Sequence, residues 1–323
     1  MNDFILITGG AGFIGSHLVE HFRRSGKKVV ALDNFSSGSL ENLIHIPRSD
    51  DLRVIEGSIL DLELVNDLMS KSSGCIHMAA AVGVKLILED PVNSLETNLT
   101  GSKYVLDAAR RHKKKVLIAS TSEIYGKNSE VPLSEESDRV LGSPLLSRWT
   151  YSEAKAIEEA VAFYYFKAYS LDVRIVRLFN TVGPRQSSAY GMVIPSFVSA
   201  ALRGEKLLLH GGGEQTRTFC HVEDVVRGIV AIWNSEYTSG VPINLGGSEE
   251  TSIKELANLV LDLTGSNSSV EVIPYEEIFP TGFEDTNRRK PDIRLINHLT
   301  GWRPRRNLNE IILDTVAYQR ERI

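Results

Sequence analysis

The sequence predicts a doubly wound α/β fold, in which helices cover both faces of a parallel sheet. Two observations indicate this class. Short apolar runs alternate with helical patterns through the first half of the chain, an order that is typical of βαβ units. The runs are also nearly continuous in apolar residues, as expected for strands buried on both faces. The strands predicted in this half are Phe4–Thr8, Lys28–Asp33, Arg53–Glu56, Cys75–Met78 and Val116–Ser120.

Helical periodicity separates these strands and continues beyond them. Helices are predicted between strands at Phe13–Arg24 and Pro91–His112, and a third at Trp149–Tyr169. A further strand is predicted at Val173–Leu178. The chain up to about residue 180 is therefore expected to form most of one sheet together with its covering helices.

The residues after 180 are punctuated by Gly and Pro, which mark turns. A helix is predicted again at Val222–Trp233 and a strand at Ile243–Leu245, while the tail from about Ser252 holds two helical patterns. The 323 residues suffice for about two domains. We expect the sheet domain to span 1–179 and 221–249, and a smaller, substrate-binding C-terminal lobe to span 180–220 and 250–323.

Composition argues against several classes of protein. The formal net charge is −5 and the basic runs are short, so nucleic acid is not expected as a partner. Cys75 and Cys220 lie in or beside apolar segments and are expected to be reduced thiols, and no zinc-type spacing predicts a metal site. A strand pattern follows Met1 almost at once, which leaves no room for a signal peptide, and no apolar run is long enough to span a membrane. A soluble cytoplasmic protein is expected.

The turn after the first strand carries Gly9, Gly12 and Gly15 and opens the first helix at Phe13 and Ile14. Glycines at such a turn let the backbone approach a pyrophosphate, which the helix N-terminus then stabilises. Strand, turn and helix follow in the order that a Rossmann-type dinucleotide site requires, although the glycine spacing is one residue longer than the common fingerprint.

Asp33 ends the second predicted strand, where a carboxylate can accept hydrogen bonds from the hydroxyls of an adenosine ribose. The same carboxylate would repel a 2′-phosphate because the two charges are alike. The expected cofactor is therefore NAD rather than NADP.

A catalytic group is predicted where a strand end and a helix face meet. Tyr151 and Lys155 are one helical turn apart and share a face, and Ser120–Glu123 follows the fifth strand. An ammonium beside the phenol and a positive nicotinamide would favour the phenolate, which could then accept a hydroxyl proton while hydride leaves the same carbon. Thr121 or Ser122 could hydrogen-bond that oxygen.

Over nearly its whole length, the chain resembles the extended short-chain dehydrogenases/reductases, in the group of nucleotide-sugar epimerases, dehydratases and decarboxylases. The segments that carry the resemblance are Thr8–Gly15, Asp33–Gly38, His77–Ala81, Ser120–Gly126, Tyr151 with Lys155, Arg177–Pro184, Gln215–Phe219 and Arg288–Asp292.

The resemblance implies roles for these positions. Residues Asp33–Gly38, which include Asn34, Phe35, Ser37 and Gly38, would hold the adenosine ribose. Ser58 and Ile59 would lie by the adenine, although many relatives have an aspartate in place of Ser58. Ala79 and Ala81 would lie on the nicotinamide side, and the remaining implied cofactor contacts are Asn98, Ser120, Tyr151 and Lys155. Asn180, Arg217 and Arg289 would grip the substrate diphosphate and nucleotide, because guanidinium groups bind such anions through paired N–H groups.

Within this group the motifs point in two directions. The 4,6-dehydratases carry an acidic Asp where this chain has Ser122, which argues against dehydration. Thr121-Ser122-Glu123 with an Arg in the 288–292 loop resembles the UDP-glucuronate decarboxylases. Two other segments, 183–193 and 282–285, resemble 4-epimerases more closely. Val193 in the first of them is a candidate substrate contact.

The interpretation that follows is a UDP-sugar 4-epimerase acting on UDP-glucose or UDP-glucuronate through a transient 4-keto sugar. Decarboxylation of UDP-glucuronate to UDP-xylose, with Glu123 assisting protonation of C5, is the main alternative, and a non-catalytic NAD-sensing protein is a further one. Lys85 and Arg185 are candidates to hold a substrate carboxylate. The family resemblance also implies a homodimer formed through the helices near 91–112 and 149–169.

Overall fold

The computed structural model describes residues 2–47, 49–81, 90–188, 192–274, 277 and 286–322. Within these residues, seven strands pair in parallel to form one sheet, with the order β3-β2-β1-β4-β5-β6-β11. Its strands are β1 (Phe4–Thr8), β2 (Val29–Asp33), β3 (Leu52–Glu56), β4 (Ser72–His77), β5 (Lys115–Thr121), β6 (Val173–Leu178) and β11 (Pro242–Leu245). The predicted doubly wound sheet is confirmed.

Helices cover both faces of this sheet, and their bounds follow the predicted pattern closely. The α-helices of the described residues are Phe13–Arg24, Leu62–Lys71, Pro91–Glu96, Ser102–His112, Ser147–Tyr169, Val193–Arg203, Val222–Asn234, Ile253–Thr264, Arg294–Thr300 and Leu308–Arg320. A π-helical turn spans Thr97–Gly101, and short 3-10 turns span Leu40–Asn42, Ser122–Tyr125 and Glu236–Thr238.

The core forms two layers because side chains alternate along each strand. Within β1, Phe4 and Leu6 join one buried cluster, whereas Ile5 and Ile7 join the other. The first cluster includes side chains of Leu62–Lys71, Ser102–His112 and Ser147–Tyr169, and the second includes side chains of Phe13–Arg24 and Val222–Asn234. Burial on both sides explains the continuous apolar runs of the strands.

The strand order reverses beside β1, and this places the site. The chain moves outward from β1 to β3, then returns to lay β4 on the other side of β1. Thr8 and His77 pair at the carboxyl ends of these two strands. Open α/β sheets bind ligands at such a crevice.

Two elements differ from the sequence prediction. The helix expected over Pro91–His112 is interrupted by the π-turn, where Gly101 packs so closely on Ile59 that a Cβ would lie 2.5 Å from its Cδ1. The tail holds an additional short helix, Arg294–Thr300, whose first amide donates to the Asp292 carboxylate at 2.9 Å. Both differences depend on packing or capping contacts that hydrophobic periodicity does not encode.

Smaller sheets form beyond the main one. The strands β7 (Thr181–Val182), β8 (Leu207–His210), β9 (Thr216–Thr218), β10 (Cys220–His221), β12 (Glu250–Ser252), β13 (Val270–Ile273) and β14 (Arg288–Arg289) pair as β7 with β10, β8 with β13, and β9 with both β12 and β14. A third buried cluster, which includes Val198, Leu207, Leu256 and Ile312, joins several of these segments. Among the described residues, no helix is both long and apolar enough to cross a membrane.

Candidate active site

The glycine turn at the end of β1 leaves no room for a side chain at Gly9 or Gly15. Gly9 has a φ of +66°, and a Cβ there would lie 2.8 Å from the Ala79 backbone nitrogen. A Cβ on Gly15 would lie 1.9 Å from the Gly9 carbonyl oxygen. Around Gly12, by contrast, a Cβ would meet just that carbonyl oxygen, at 3.1 Å, among the described residues. The N-terminus of the first helix, at Phe13 and Ile14, thus opens towards a space that suits a pyrophosphate.

Asp33 organises the loop beside this turn. Its buried carboxylate accepts the backbone N–H of Ala11 at 2.9 Å and that of Phe35 at 2.8 Å. Gly38 packs against the same group, since a Cβ there would lie 2.9 Å from both carboxylate oxygens. Asn34 accepts a hydrogen bond from the amide of Ser36, next to Ser37. The carboxylate therefore ties the ribose-side loop to the glycine turn.

The predicted adenine contacts lie after β3. The Ser58 hydroxyl accepts a hydrogen bond from the Leu60 amide at 3.1 Å, and Ile59 is buried against Gly101. Ser58 thus caps its own turn. A cofactor contact of Ser58 or Ile59 stays a prediction.

The predicted nicotinamide side lies after β4. The Ala79 amide donates to the Thr8 hydroxyl at 3.3 Å. The buried Asn98 side chain accepts from the Ala81 N–H at 2.9 Å and donates to the Ala81 carbonyl at 3.2 Å. Asn98 therefore holds this loop in place from the π-turn, and sequence reasoning did not anticipate that contact.

The side chains predicted to be catalytic meet where β5 ends against the helix Ser147–Tyr169. The Thr121 hydroxyl is hydrogen-bonded to Tyr151 and also accepts the Glu123 amide at 3.2 Å. Ser152 donates to the Glu123 carbonyl at 2.8 Å, which fastens the helix to this turn. Ser122 is buried here. The structure thus places Thr121 against both Tyr151 and Glu123, with Ser122 buried in the same turn, and their catalytic roles stay predictions.

Ser120, the last residue before this group, faces another way. Its hydroxyl donates to a carboxylate oxygen of Glu159 at 2.9 Å, and Glu159 forms a buried ion pair with Arg177. The Arg177 guanidinium also donates to the Tyr125 hydroxyl at 2.9 Å. A cofactor contact of the Ser120 side chain stays a prediction. The observed hydrogen bond links the end of β5 to the helix Ser147–Tyr169.

Lys155 contacts a carboxylate that the sequence motifs did not single out. Its ammonium lies 2.7 Å from the carboxylate of Glu158, and both side chains are buried. Burial raises the pKa of Tyr151, and the charges of Glu158 and Glu123 raise it further, while the hydrogen bond from Thr121 opposes this rise. The effect predicted for Lys155 together with a bound nicotinamide stays a prediction.

A second cluster reaches the catalytic group from the C-terminal part of the chain. The buried Arg289 guanidinium donates to Glu123 Oε1 at 2.5 Å and to the Thr286 hydroxyl at 3.1 Å. Its Nε makes no hydrogen bond within the described part of the chain. Arg289 also lies beside Arg217, its register partner on β9. Two arginines thus stand side by side at the edge of the site.

Two other residues predicted to contact the substrate donate hydrogen bonds to backbone carbonyls of the protein. Arg217 is buried and donates to the Thr216 carbonyl at 2.8 Å, and the Asn180 side chain donates to the Thr218 carbonyl at 3.2 Å. Val193 is the first residue of its helix. Roles for these residues in substrate binding stay predictions.

Arg185, predicted to hold a substrate carboxylate, pairs with a carboxylate of the protein itself. Its guanidinium contacts Glu20 on the first helix and lies 3.4 Å from the Ser16 hydroxyl. Its role in substrate binding stays a prediction. Lys85, the other candidate for that role, lies outside the described residues, as does the centre of the loop at residues 189–191.

Comparison with known proteins identifies the family. Residues 6–315 match the family model described as GDP-mannose 4,6 dehydratase. The chain belongs to this family. The resemblance to extended short-chain dehydrogenases/reductases that act on nucleotide sugars is confirmed.

Relatives with assigned activities refine this result. The chain is 39% identical over 322 residues to the UDP-N-acetyl-alpha-D-glucosaminuronate decarboxylase of Bacillus cytotoxicus, with 99% of each chain covered. It is 36% identical to UDP-glucuronic acid decarboxylase 1 of Xenopus tropicalis, covering 99% of this chain and 72% of the relative. A solved structure of Thermus thermophilus UDP-glucose 4-epimerase in complex with NAD has a TM-score of 0.85 at 28% identity, covering 99% of each chain. The relatives favour the decarboxylase alternative over the 4-epimerase interpretation.

Proposed function

We propose that this chain is an NAD-dependent decarboxylase of a UDP-hexuronate, either UDP-glucuronate or its 2-acetamido counterpart. The observation that carries the proposal is the contact between Glu123 and Arg289, 2.5 Å apart. This contact joins the two motifs that resemble the decarboxylases, Thr121-Ser122-Glu123 and the loop at 288–292. It does so beside Thr121 and Tyr151, the groups proposed to act on O4 of the sugar. The named activities of the two sequence relatives support the same choice.

The glycine turn and the Asp33 loop fit NAD. A turn that cannot accept a Cβ at Gly9 or Gly15 lets a pyrophosphate approach the backbone. Asp33 would hold the adenosine ribose, and Asn98 would keep the loop at Ala79 and Ala81 beside the nicotinamide. When bound, NAD supplies a hydride acceptor that later returns the hydride to the sugar.

Tyr151 is the proposed base of the first step. Its phenolate form accepts the proton from O4 of the sugar as C4 is oxidised, and Thr121 donates a hydrogen bond to the Tyr151 oxygen. The product is a 4-keto hexuronate, in which the C6 carboxylate is β to the ketone. Such a β-keto acid loses CO₂ when the bond to the carboxylate stands perpendicular to the ketone plane.

Glu123 and Arg289 are the proposed groups for the second step. Loss of CO₂ leaves the electron pair of the broken bond on C5, conjugated with the C4 oxygen as an enolate. The Arg289 cation stabilises that developing charge, because a buried guanidinium acts in a medium of low dielectric. A proton from water reaches C5 through Glu123, after which hydride returns to C4 and Tyr151 returns its proton to O4.

The second candidate is 4-epimerisation through the same ketone, which the fold similarity to UDP-glucose 4-epimerase supports. A hexuronate epimerase must hold the carboxylate near the ketone plane with fixed donors. Arg185 is one candidate for such a donor, and it pairs with Glu20. A purely NAD-sensing protein would have no need of the hydrogen bond between Tyr151 and Thr121.

The test is incubation of the protein and NAD with each UDP-hexuronate, followed by NMR of the products and measurement of CO₂. We expect one CO₂ for each UDP-pentose formed. A UDP-hexuronate inverted at C4, with no CO₂, would reject this function in favour of the epimerase. Tyr151→Phe serves as the inactive control.

Two structural expectations remain proposals. We propose that residues 180–220 and 250–323 form the lobe that holds the nucleotide-sugar, and that 1–179 and 221–249 hold NAD. We also propose a homodimer through the helices near 91–112 and 149–169, on which Val92, Ile157 and Tyr164 are exposed. Sedimentation analysis would test the dimer.

A further inference from the structure

Glu158 is a buried carboxylate in contact with the catalytic lysine, and no motif assigned it a role. It lies one turn after Lys155 on the helix Ser147–Tyr169, with 1% of its side chain exposed, and the two side chains meet at 2.7 Å. Its other oxygen, Oε1, has no hydrogen-bond partner within the described residues. Burial of an incompletely satisfied carboxylate is costly, so its retention beside Lys155 calls for a physical explanation.

A chain of buried polar groups runs from Glu158 to the cofactor turn. The Ser102 hydroxyl lies against the Glu158 carboxylate and stabilises its charged form. His77 Nε2 lies 3.0 Å from Ser102 Oγ, and His77 Nδ1 lies 2.6 Å from Thr8 Oγ1. Thr8 in turn accepts the Ala79 amide.

These contacts have one consistent direction of donation. Burial lowers the pKa of His77 to about 3, with a further contribution from Lys155, so the ring is neutral at physiological pH. The Thr8 hydroxyl donates to His77 Nδ1, the Nε2–H donates to Ser102, and Ser102 points its proton towards Glu158. The network therefore ends on the Glu158 carboxyl group, which Lys155 also contacts.

Among the described residues, the titratable groups that interact with Glu158 or with its neighbours lie on its own helix, on β4 and after β5. Lys155, Tyr151 and Glu159 lie on its own helix, neutral His77 lies on β4, and Glu123 follows β5. Burial raises the pKa of the Glu158 carboxyl and Glu159 adds to the rise, while Lys155 and Ser102 oppose it by favouring the charged form. Glu158 in turn is the largest charge effect that raises the pKa of Tyr151, after burial itself.

We infer that Glu158 is a positioning residue that fixes the Lys155 ammonium on the helix face shared with Tyr151 and thereby sets the pH at which Tyr151 ionises. The inference rests on the proposed function only in taking Tyr151 as the base. According to this inference, the Glu158 carboxyl group and its hydrogen-bonded network determine the pKa of Tyr151.

The test reads Tyr151 ionisation directly, without substrate. Ultraviolet absorbance of tyrosinate is recorded on the folded protein at one alkaline pH, with and without Tyr151→Phe, so that the difference reports Tyr151. Removal of a neighbouring negative charge by Glu158→Gln should lower the Tyr151 pKa by on the order of one unit, and so raise the ionised fraction roughly tenfold. Equal signals in wild type and Glu158→Gln would overturn the inference.

Two further variants keep the test decisive. Glu153→Gln removes a more exposed carboxylate of the same helix, which pairs with Arg139, and should leave the signal unchanged. If Glu158→Gln does not fold, Glu158→Asp draws the charge back by one methylene and should give an intermediate signal. A wild-type signal in a folded Glu158→Asp variant would then reject the inference.

The pH profile of turnover supplies an independent reading. In Glu158→Gln the acid limb of kcat should move to lower pH by a similar amount, with KM for the UDP-sugar little changed. A uniform fall in kcat with an unmoved limb would assign Glu158 a structural role only. Failure to turn over any UDP-hexuronate would count against the proposed function, and it would leave the absorbance result to decide the inference.

Discussion

Replacement of Glu123 by Gln tests the step that separates decarboxylation from the other reactions of this family. Gln keeps the size of the side chain and an oxygen that can still accept from Arg289, but it loses the charge and the ability to carry a proton. Oxidation at C4 depends on Tyr151 and Thr121 instead. The variant should therefore still form the ketone while failing at the step that follows.

The structure sets the expected size of the effect. Loss of a positioned proton-transfer group typically costs about 10²–10⁴ in rate, so we expect CO₂ release to fall at least about 10²-fold. The contact with Arg289 is 2.5 Å long, with 20% of the Glu123 side chain and 5% of the Arg289 side chain exposed. Because Gln retains one hydrogen bond, the free energy of unfolding should fall by only about 1–2 kcal/mol.

The assay follows NADH absorbance and CO₂ release together after addition of UDP-hexuronate. NADH should accumulate in Glu123→Gln because hydride leaves C4 but cannot return until the later steps are complete. Glu250→Gln is the matched control, since Glu250 pairs with Arg288 on the same small sheet at a site where Arg288 is half exposed. Near-normal CO₂ release by Glu123→Gln would refute the role given to Glu123.

Three further predictions address the base and the cofactor site. Tyr151→Phe should lower turnover by about 10²–10⁴ with nearly unchanged nucleotide-sugar affinity in calorimetry, and near-normal turnover would remove Tyr151 from the mechanism. Asp33→Ala should weaken NAD binding and reduce the preference over NADP, because it removes both the ribose acceptor and the bond from Ala11; equal NAD and NADP affinities in the wild type would contradict the assignment. Gly15→Ala should cost about 1–3 kcal/mol of stability through overcrowding, since the new Cβ would lie 1.9 Å from the Gly9 oxygen. Thermal unfolding and NAD titration would check this, and an unchanged Tm with unchanged NAD affinity would contradict it.

The choice between two activities shows where sequence reasoning was weakest. The loop at 183–193 suggested an epimerase, and Arg185 was a candidate to hold the substrate carboxylate. In the structure Arg185 is engaged by Glu20, which lies on the first helix, 165 positions earlier in the chain. Sequence patterns place a charged side chain on a helix, strand or loop, but they do not show which oppositely charged group it pairs with in the folded protein.

The sequence by itself determined the parallel sheet, the dinucleotide turn and the shared face of Tyr151 and Lys155. These features depend on local rules: apolar runs of strand length, glycines between strand and helix, and the repeat of the α-helix. Strand ends of a parallel sheet also meet at one edge, so the meeting of Thr121 with Tyr151 could be anticipated.

Only the tertiary structure decided which charged groups pair within that frame. Arg289 reaches Glu123 across 166 positions of sequence, and Glu158 faces inward to take the Lys155 ammonium. A helical repeat gives the spacing of Glu158 and Lys155, but whether such a pair is solvated or buried depends on what packs against it. Burial raises the pKa of Tyr151, and the Glu158 carboxylate raises it further, because in a buried site a carboxylate acts on its neighbours with little screening by water.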